Sequence, residues 1–361
     1  MTDRENEAGI QGSKGSKVQS PEPRNPSAVR QGPLRPTPEP LDIRPLPLGI
    51  SMGDPAGIGP EIILKSISRL PRLRCRVFGS RGVFEQEQKR LGTDVDLSCV
   101  DEAAGKVGAY KMGRAQRNCG AAAFACLEAG VKELSAGRVS ALVTAPVSKE
   151  ALRMAGFHWP GQTEFLAERL GAKRHAMLAW TPKFKVVFVT IHEPLARVSR
   201  HITAAAVAEK TGQLDRFLRD SGVTRPRICV MAFNPHAAEF SLGEESRIAE
   251  GVARARKAGI NATGPIPADA ALAAVSQSRH LSFGLRPSSL PFDGYIAMYH
   301  DQAMIPAKLL GRDQGVNLTL GLGHIRTSPL HGVAFDIAGK GIASPGSMLA
   351  AIRLAQRLVR H

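Results

Sequence analysis

The chain has 361 residues, a formal net charge of +16 and 43% hydrophobic residues. That length can bury a sizeable core, as two lobes or one large α/β domain. It has no run of about 20 apolar residues, which excludes a helical membrane span from the expectations. The five cysteines (Cys75, Cys99, Cys119, Cys126 and Cys229) form no CxxC pair. They read as free thiols in a reducing, cytoplasmic compartment. Residues 1–47 hold seven Lys/Arg and six Asp/Glu, so +15 of the charge lies beyond them. Such an excess favours anionic ligands. The arginines are scattered, however, and no nucleic-acid motif accompanies them.

Residues 1–47 contain nine prolines and no aromatic residue, and read as a disordered extension. They lack the apolar stretch of a secretory signal. From Leu48 the segments alternate. LGISMG reads as a strand, GDPAGIGPE as a glycine loop, and Pro60 opens a helix through Ile62, Ile63 and Ile67. CRVFGS is the next strand. Phe124, Leu127, Val131 and Leu134 then mark an amphipathic helix that stops at Gly137. SALVTAP runs from strand into loop. GQTEFLAERLG enters a helix with Thr163 as its expected N-cap. HAMLAW and KVVFVT are strands joined by a short turn, and Val207 to Leu218 form a helix. RICVMAF and GYIAMY are strands with a helix through Ile248 and Val252 between them. A last helix starts at Pro345, with Ser344 as its expected cap. This alternation predicts an α/β fold with a mostly parallel sheet.

Three histidines share one kind of address. His192 follows VVFVTI, His236 follows ICVMAF by two residues, and His300 follows YIAMY. Each lies where a buried strand ends, the edge at which open α/β sheets bind ligands. Neutral imidazoles suit divalent metals, although separations of 44 and 64 residues match no local zinc motif. GDPAGIGPE is not GxGxxG, and its plainer reading is a tight βα turn. Lys308 belongs to a helix after the third strand. Asn317 and Arg326 lie in the glycine-rich segment 315–332, where an arginine can grip phosphate or carboxylate. HGVAFDIAGKGIASP can wrap an adenosine moiety through Asp336, or be a structured turn.

Ten motifs then occur in a recognisable order: GDPAGIGPE, TAPVSK, PGQTEFLAE, IHEPL, NPHAAE, GPIPAD, MYHDQ, VNLTLGL, IRTSPLHG and DIAGKG. From about Leu48 onward the chain resembles the 4-hydroxythreonine-4-phosphate dehydrogenase family of pyridoxal phosphate biosynthesis. GIGPE and the 331–345 segment are also similar to isopropylmalate- and isocitrate-type dehydrogenases, which bind NAD(P) without a Rossmann fingerprint. The resemblance implies a two-lobed α/β/α fold. The expected first lobe is 48–145 plus 315–361, and the second is 146–314 with the metal and substrate site. It implies a homodimer with its active site at the subunit interface, and no nucleic-acid or membrane partner. It assigns one divalent metal (Zn, Co or Mg) to His192, His236 and His300. The phosphorylated substrate falls to Gln162, Thr163, Lys308, Asn317 and Arg326, and NAD or NADP to His331, Gly332 and Asp336. Asp269 and Lys308 are the side-chain candidates for a catalytic base. The implied activity is oxidation of 4-phosphooxy-L-threonine, with threonate or erythronate 4-phosphate as alternative substrates. A basic nucleic-acid-binding protein on the same fold is the remote alternative. Gln162 stands where the family usually has histidine, so this position keeps hydrogen bonding but cannot become cationic.

Overall fold

The computed structural model describes residues 46–276 and 292–360. Residues 1–45 of the expected extension lie outside the described residues, as do His280 and His361. The ordered chain opens with β1 (Leu48–Ser51), every residue of it buried, followed by the glycine loop and α1 (Gly59–Ile67). Pro60 occupies the first turn of α1, where a missing N–H is harmless. Then come β2 (Cys75–Gly79), α2 (Arg81–Leu91), β3 (Val100–Glu102), α3 (Arg117–Ser135) and β4 (Leu142–Thr144). The short α4 (Lys149–Met154) follows, capped by Ser148, whose Oγ accepts from the Ala151 N–H. It crosses α3 closely, because a Cβ at Gly120 would overlap the Ala151 carbonyl.

The next elements are α5 (Gln162–Arg169), β5 (Ala176–Trp180), β6 (Lys185–Phe188), α6 (Leu195–His201) and α7 (Ala204–Asp220). After them come β7 (Ile228–Met231), α8 (Glu244–Lys257), β8 (Ala262–Ile266), α9 (Ala268–Ser276), β9 (Gly294–Ala297) and α10 (His300–Gly311). The chain closes with β10 (Val316–Leu320), β11 (Arg326–Pro329) and α11 (Gly346–Val359). All eleven strands of the described residues join one sheet, ordered β3-β2-β1-β4-β11-β10-β5-β6-β9-β7-β8. The expected lobes divide this sheet between β10 and β5.

Most neighbours are parallel, as expected from the alternation. The centre is not: β11–β10, β10–β5 and β5–β6 pair antiparallel. Period-two alternation sorts the core. Val186, Phe188, Cys229, Met231, Tyr295 and Ala297 face one way, into a cluster with Ala303, Met304 and Ala307 of α10. Val187, Ile228, Val230 and Ile296 face the other way, into the main core.

Three local expectations change. Thr163 is not the N-cap of α5. Gly161 takes that position with an extended φ of −171°, and Thr163 lies in the first turn. Ser344 is one residue too early to cap α11, whose N-cap is Pro345, although its Oγ still accepts from the Gly346 N–H at 3.2 Å. The glycine-rich segment 315–332 holds two strands, β10 and β11. Their polar residues hid them, and those residues are polar because they face a cleft.

Candidate functional site

On β10 the residues alternate. Val316 and Leu318 turn into the core, while Asn317 shares the opposite face with Thr319. Pairing sets Asn317 against Ser328, and Leu318 against Thr327. Thr327 points the other way, its Oγ1 donating to the Ala351 carbonyl of α11 at 3.0 Å. Arg326 therefore falls on the polar face with Asn317. That face floors a cleft that is open to solvent. Gln162 and Thr163 of α5 form one wall, and His192, His331 and Gly332 also line it. Seven residues predicted from sequence thus meet in one place.

Arg326 is 2% exposed. Its guanidinium donates to Thr144 Oγ1 at 2.6 Å, and to Thr319 Oγ1 and Gln162 Oε1 at 3.3 Å. All three acceptors are neutral, and Nε has no partner. Among the described residues no carboxylate forms an ion pair with it. Burial pushes its pKa down to about 10, with the charge of Glu164 opposing. A buried cation without a counter-ion is costly unless an anion completes the site. The Asn317 Oδ1 beside it is also buried and unpartnered. Sequence reasoning missed Thr144, Lys149, Glu164 and Ser328 in this cleft. The TAPVSK motif at the end of β4 was the signal for the first two.

The histidines come from neighbouring strands. β6, β9 and β7 are adjacent and parallel, so His192, His300 and His236 emerge along one carboxyl edge. Asp269 follows β8, the next strand out, and is exposed. The rings of His192 and His300 lie 6.2 Å apart. Burial, then the charge of Lys149, lowers the His192 pKa and favours the neutral, ligand-ready ring. His300 Nδ1 lies 2.7 Å from Asp301 Oδ1, which leaves Nε2 for a ligand. His236 packs near Phe240 instead, with ring centroids 5.9 Å apart. It and Ala237 hold positive φ values of 53° and 57°, a left-handed pair that costs about 1–2 kcal/mol per residue.

The surrounding chain is fixed firmly. Gln302, 9% exposed, donates to the Ala232 carbonyl and accepts from the Met298 N–H, both at 2.7 Å, tying the end of β9 to β7. Glu245 accepts from the Phe233 and Asn234 N–H groups. Burial alone would raise its pKa, but hydrogen bonds from Ser241 and Asn234 prevail and hold it below the usual carboxylate range. Both anchors escaped sequence reasoning, because neither ends a strand nor resembles a ligand. One chain therefore offers a histidine pair of suitable type and spacing for a divalent metal, with His236 set apart. Among the described residues no three His, Cys, Asp or Glu side chains gather to hold a metal ion.

The 331–341 loop packs on the first glycine loop. The Ile58 N–H donates to the Val333 carbonyl at 3.1 Å, and a Cβ at Gly57 would press on Val333 at 3.0 Å. Glu61 accepts from the Ala343 N–H, and Lys65 reaches the Gly341 and Ala343 carbonyls. Gly332 has no atom within 4 Å of its Cβ position, so backbone is left open beside the cleft. Burial lowers the pKa of His331 and keeps its ring neutral. Asp336 and Lys308 are exposed and do not line the cleft. Open glycine backbone at the cleft fits a dinucleotide in kind, whereas Asp336 stands off it.

No helix of the described residues is long and apolar enough to cross a membrane. Residues 58–355 match the family model described as pyridoxal phosphate biosynthetic protein PdxA. The chain is 40% identical over 332 residues to 4-hydroxythreonine-4-phosphate dehydrogenase of Erythrobacter litoralis, covering 86% of this chain and 95% of that protein. It is 37% identical over 333 residues to D-threonate 4-phosphate dehydrogenase of Salmonella typhimurium, covering 86% and 98%. The crystal structure of 4-hydroxythreonine-4-phosphate dehydrogenase from Klebsiella pneumoniae superposes with a TM-score of 0.74 at 35% identity, covering 87% of this chain and 99% of that one. Sequence and overall fold agree: the chain belongs to the PdxA family of pyridoxal phosphate biosynthetic proteins.

Proposed function

We propose that this oxidoreductase uses NAD(P) and a divalent metal to oxidise 4-phosphooxy-L-threonine. The observation that carries this reading is Arg326, a buried guanidinium with neutral partners at the floor of a small-molecule cleft. A phosphate monoester supplies the missing counter-charge, and a guanidinium fork matches its geometry. Asn317 adds its amide, and Gln162 and Thr163 close over the ligand from α5. His192 and His300 would hold the metal, and His236, at the same sheet edge, would have to turn from Phe240 to join them as third ligand. When bound, the metal supplies Lewis acidity toward the substrate hydroxyl. His331 and Gly332, which line the cleft, would border the nicotinamide cofactor, whose chemistry would be hydride acceptance. The residues around the cleft fix the carbinol hydrogen toward it. The oxidised product is a 2-amino-3-oxo acid, which loses CO₂ to give 3-amino-2-oxopropyl phosphate.

The enzyme works as a homodimer with its active site at the subunit interface. In support, α10 carries Lys308 on an exposed surface with two large apolar residues, Ile305 (58% exposed) and Leu309 (72%). Covering that surface with a second copy buries both and brings Lys308 toward a partner's cleft.

The Salmonella relative's name supports a second reading, oxidation of D-threonate 4-phosphate. The two substrates share the phosphate and carboxylate and differ at C2. A spectrophotometric NAD(P)H assay with both, with and without chelator, tests the proposal. Chelator-sensitive turnover of 4-phosphooxy-L-threonine with the higher kcat/KM supports it. A higher value for threonate 4-phosphate moves the assignment to the second reading. Absence of turnover with either, in metal-loaded protein, overturns both.

A further inference from the structure

The cleft has a second cation that the residue assignments above leave without a task. Lys149 is the first residue of α4, held there by the Ser148 cap and by buried Ala151 and Leu152 behind it. Its side chain lines the cleft. The Nζ lies 4.0 Å from where a Cβ would stand on Gly161, the residue preceding Gln162. Gln162 Oε1 in turn accepts from Arg326 at 3.3 Å. The Gly161–Gln162 pair therefore has an ammonium on one side and a guanidinium on the other. Glu164 also flanks Gly161, its Oε2 lying 3.1 Å from the same Cβ position. Among the described residues, Lys149 and Glu164 form no salt bridge with each other or with any other group.

We propose that Lys149 binds the carboxylate of the substrate while Arg326 binds its phosphate. This rests on the reading that the cleft takes a 4-phosphorylated four-carbon acid. Such a ligand has two anionic ends joined by a short chain, and needs two cationic subsites at fixed separation. The two cations divide the ends by their chemistry. Arg326 is buried, rigid and fork-shaped, which suits a phosphate held on several oxygens. Lys149 is exposed on a flexible stem, a point charge suited to a carboxylate nearer the cleft mouth. Both candidate substrates carry this carboxylate, so Lys149 serves acid recognition and leaves discrimination at C2 to other groups.

The test is titration calorimetry on the full-length metal-loaded protein with two probes. One is D-threonate 4-phosphate, and the other is erythritol 4-phosphate, which keeps the phosphate and lacks the carboxylate. The variants are Lys149→Met, Lys149→Arg and Glu164→Gln. The expected result is that Lys149→Met weakens the acid about 10- to 100-fold, the range for one charge-assisted hydrogen bond, and leaves the polyol phosphate within about twofold. Lys149→Arg should restore most of the loss. Equal weakening of both probes would assign Lys149 to the phosphate or to the fold, and overturn the proposal. So would an unchanged ratio in Lys149→Met, or a Glu164→Gln variant that reproduces the same selective loss by acting through Lys149. If the wild type binds neither probe, the functional reading itself fails, which is a distinct outcome from wild-type binding with an insensitive Lys149.

Discussion

Replacing Arg326 by Met separates a binding cation from a structural one. The fall in its pKa from 12.5 to about 10 corresponds to about 3 kcal/mol, at about 1.4 kcal/mol per pKa unit. The folded pKa of this base lies below its unfolded value. Folding therefore disfavours the charged form, and the penalty is complete at every pH below about 10. Methionine removes it and retains an apolar body of similar length. Against this stand three hydrogen bonds to neutral acceptors, worth about 0.5–1.5 kcal/mol each. The terms nearly cancel, so stability should change by no more than about 1–2 kcal/mol. Ligand response should change far more. A phosphate ester at 100 times its Kd stabilises the native state by about 2.7 kcal/mol, and the variant should lose that gain at the same concentration. Thermal melts with and without D-threonate 4-phosphate measure both quantities. A variant several kcal/mol less stable, or one that keeps the ligand-induced rise in Tm, would refute the view of Arg326 as an anion site awaiting its ligand.

Other expectations follow from the same geometry. His236→Ala should abolish metal retention after desalting, and turnover with it, while circular dichroism stays native; full activity in metal-free buffer would exclude the histidine site. Asp54 is fully buried, one oxygen has no partner, and burial raises its pKa to about 6. Its folded pKa exceeds the unfolded value of 3.8, so its contribution to stability is complete below about pH 4. That contribution is lost as pH rises through 6, about 3 kcal/mol in all. Asp54→Asn should flatten the stability profile over that window in denaturant titrations, and an unchanged slope would assign it to another group. Ile305→Glu with Leu309→Glu should yield a folded monomer in light scattering and lower kcat/KM at least tenfold, as expected if one apolar face of α10 closes the dimer. An unaltered dimer would place the interface elsewhere.

How much of the site was legible follows from what periodicity can register. Runs such as VVFVTI and ICVMAF announce buried strands, so the shared address of His192, His236 and His300 could be read before any fold was known. VNLTL and RTSP could not be read that way. Asn317 of β10 faces the cleft, and β11 is spent on Arg326, Ser328 and a threonine bonded to α11. Function took the positions where apolar residues would have signalled a strand. Lys149 could be noticed as the end of TAPVSK, but only its placement beside Gly161 gives it a cleft to line.

The sequence by itself determined the α/β class, the order of the motifs, the family they resemble and the edge from which the histidines emerge. Those are local matters of strand-length apolar runs and the residues ending them. Only the tertiary structure decided that β6, β9 and β7 are neighbours, because strand order is set by long-range pairing that no local pattern encodes. It likewise brought Thr144, Gln162, Asn317 and Arg326, up to 182 residues apart, onto one polar surface. Burial there strips Arg326 of solvent, and it is that loss, invisible in the sequence, that turns an ordinary arginine into an anion site.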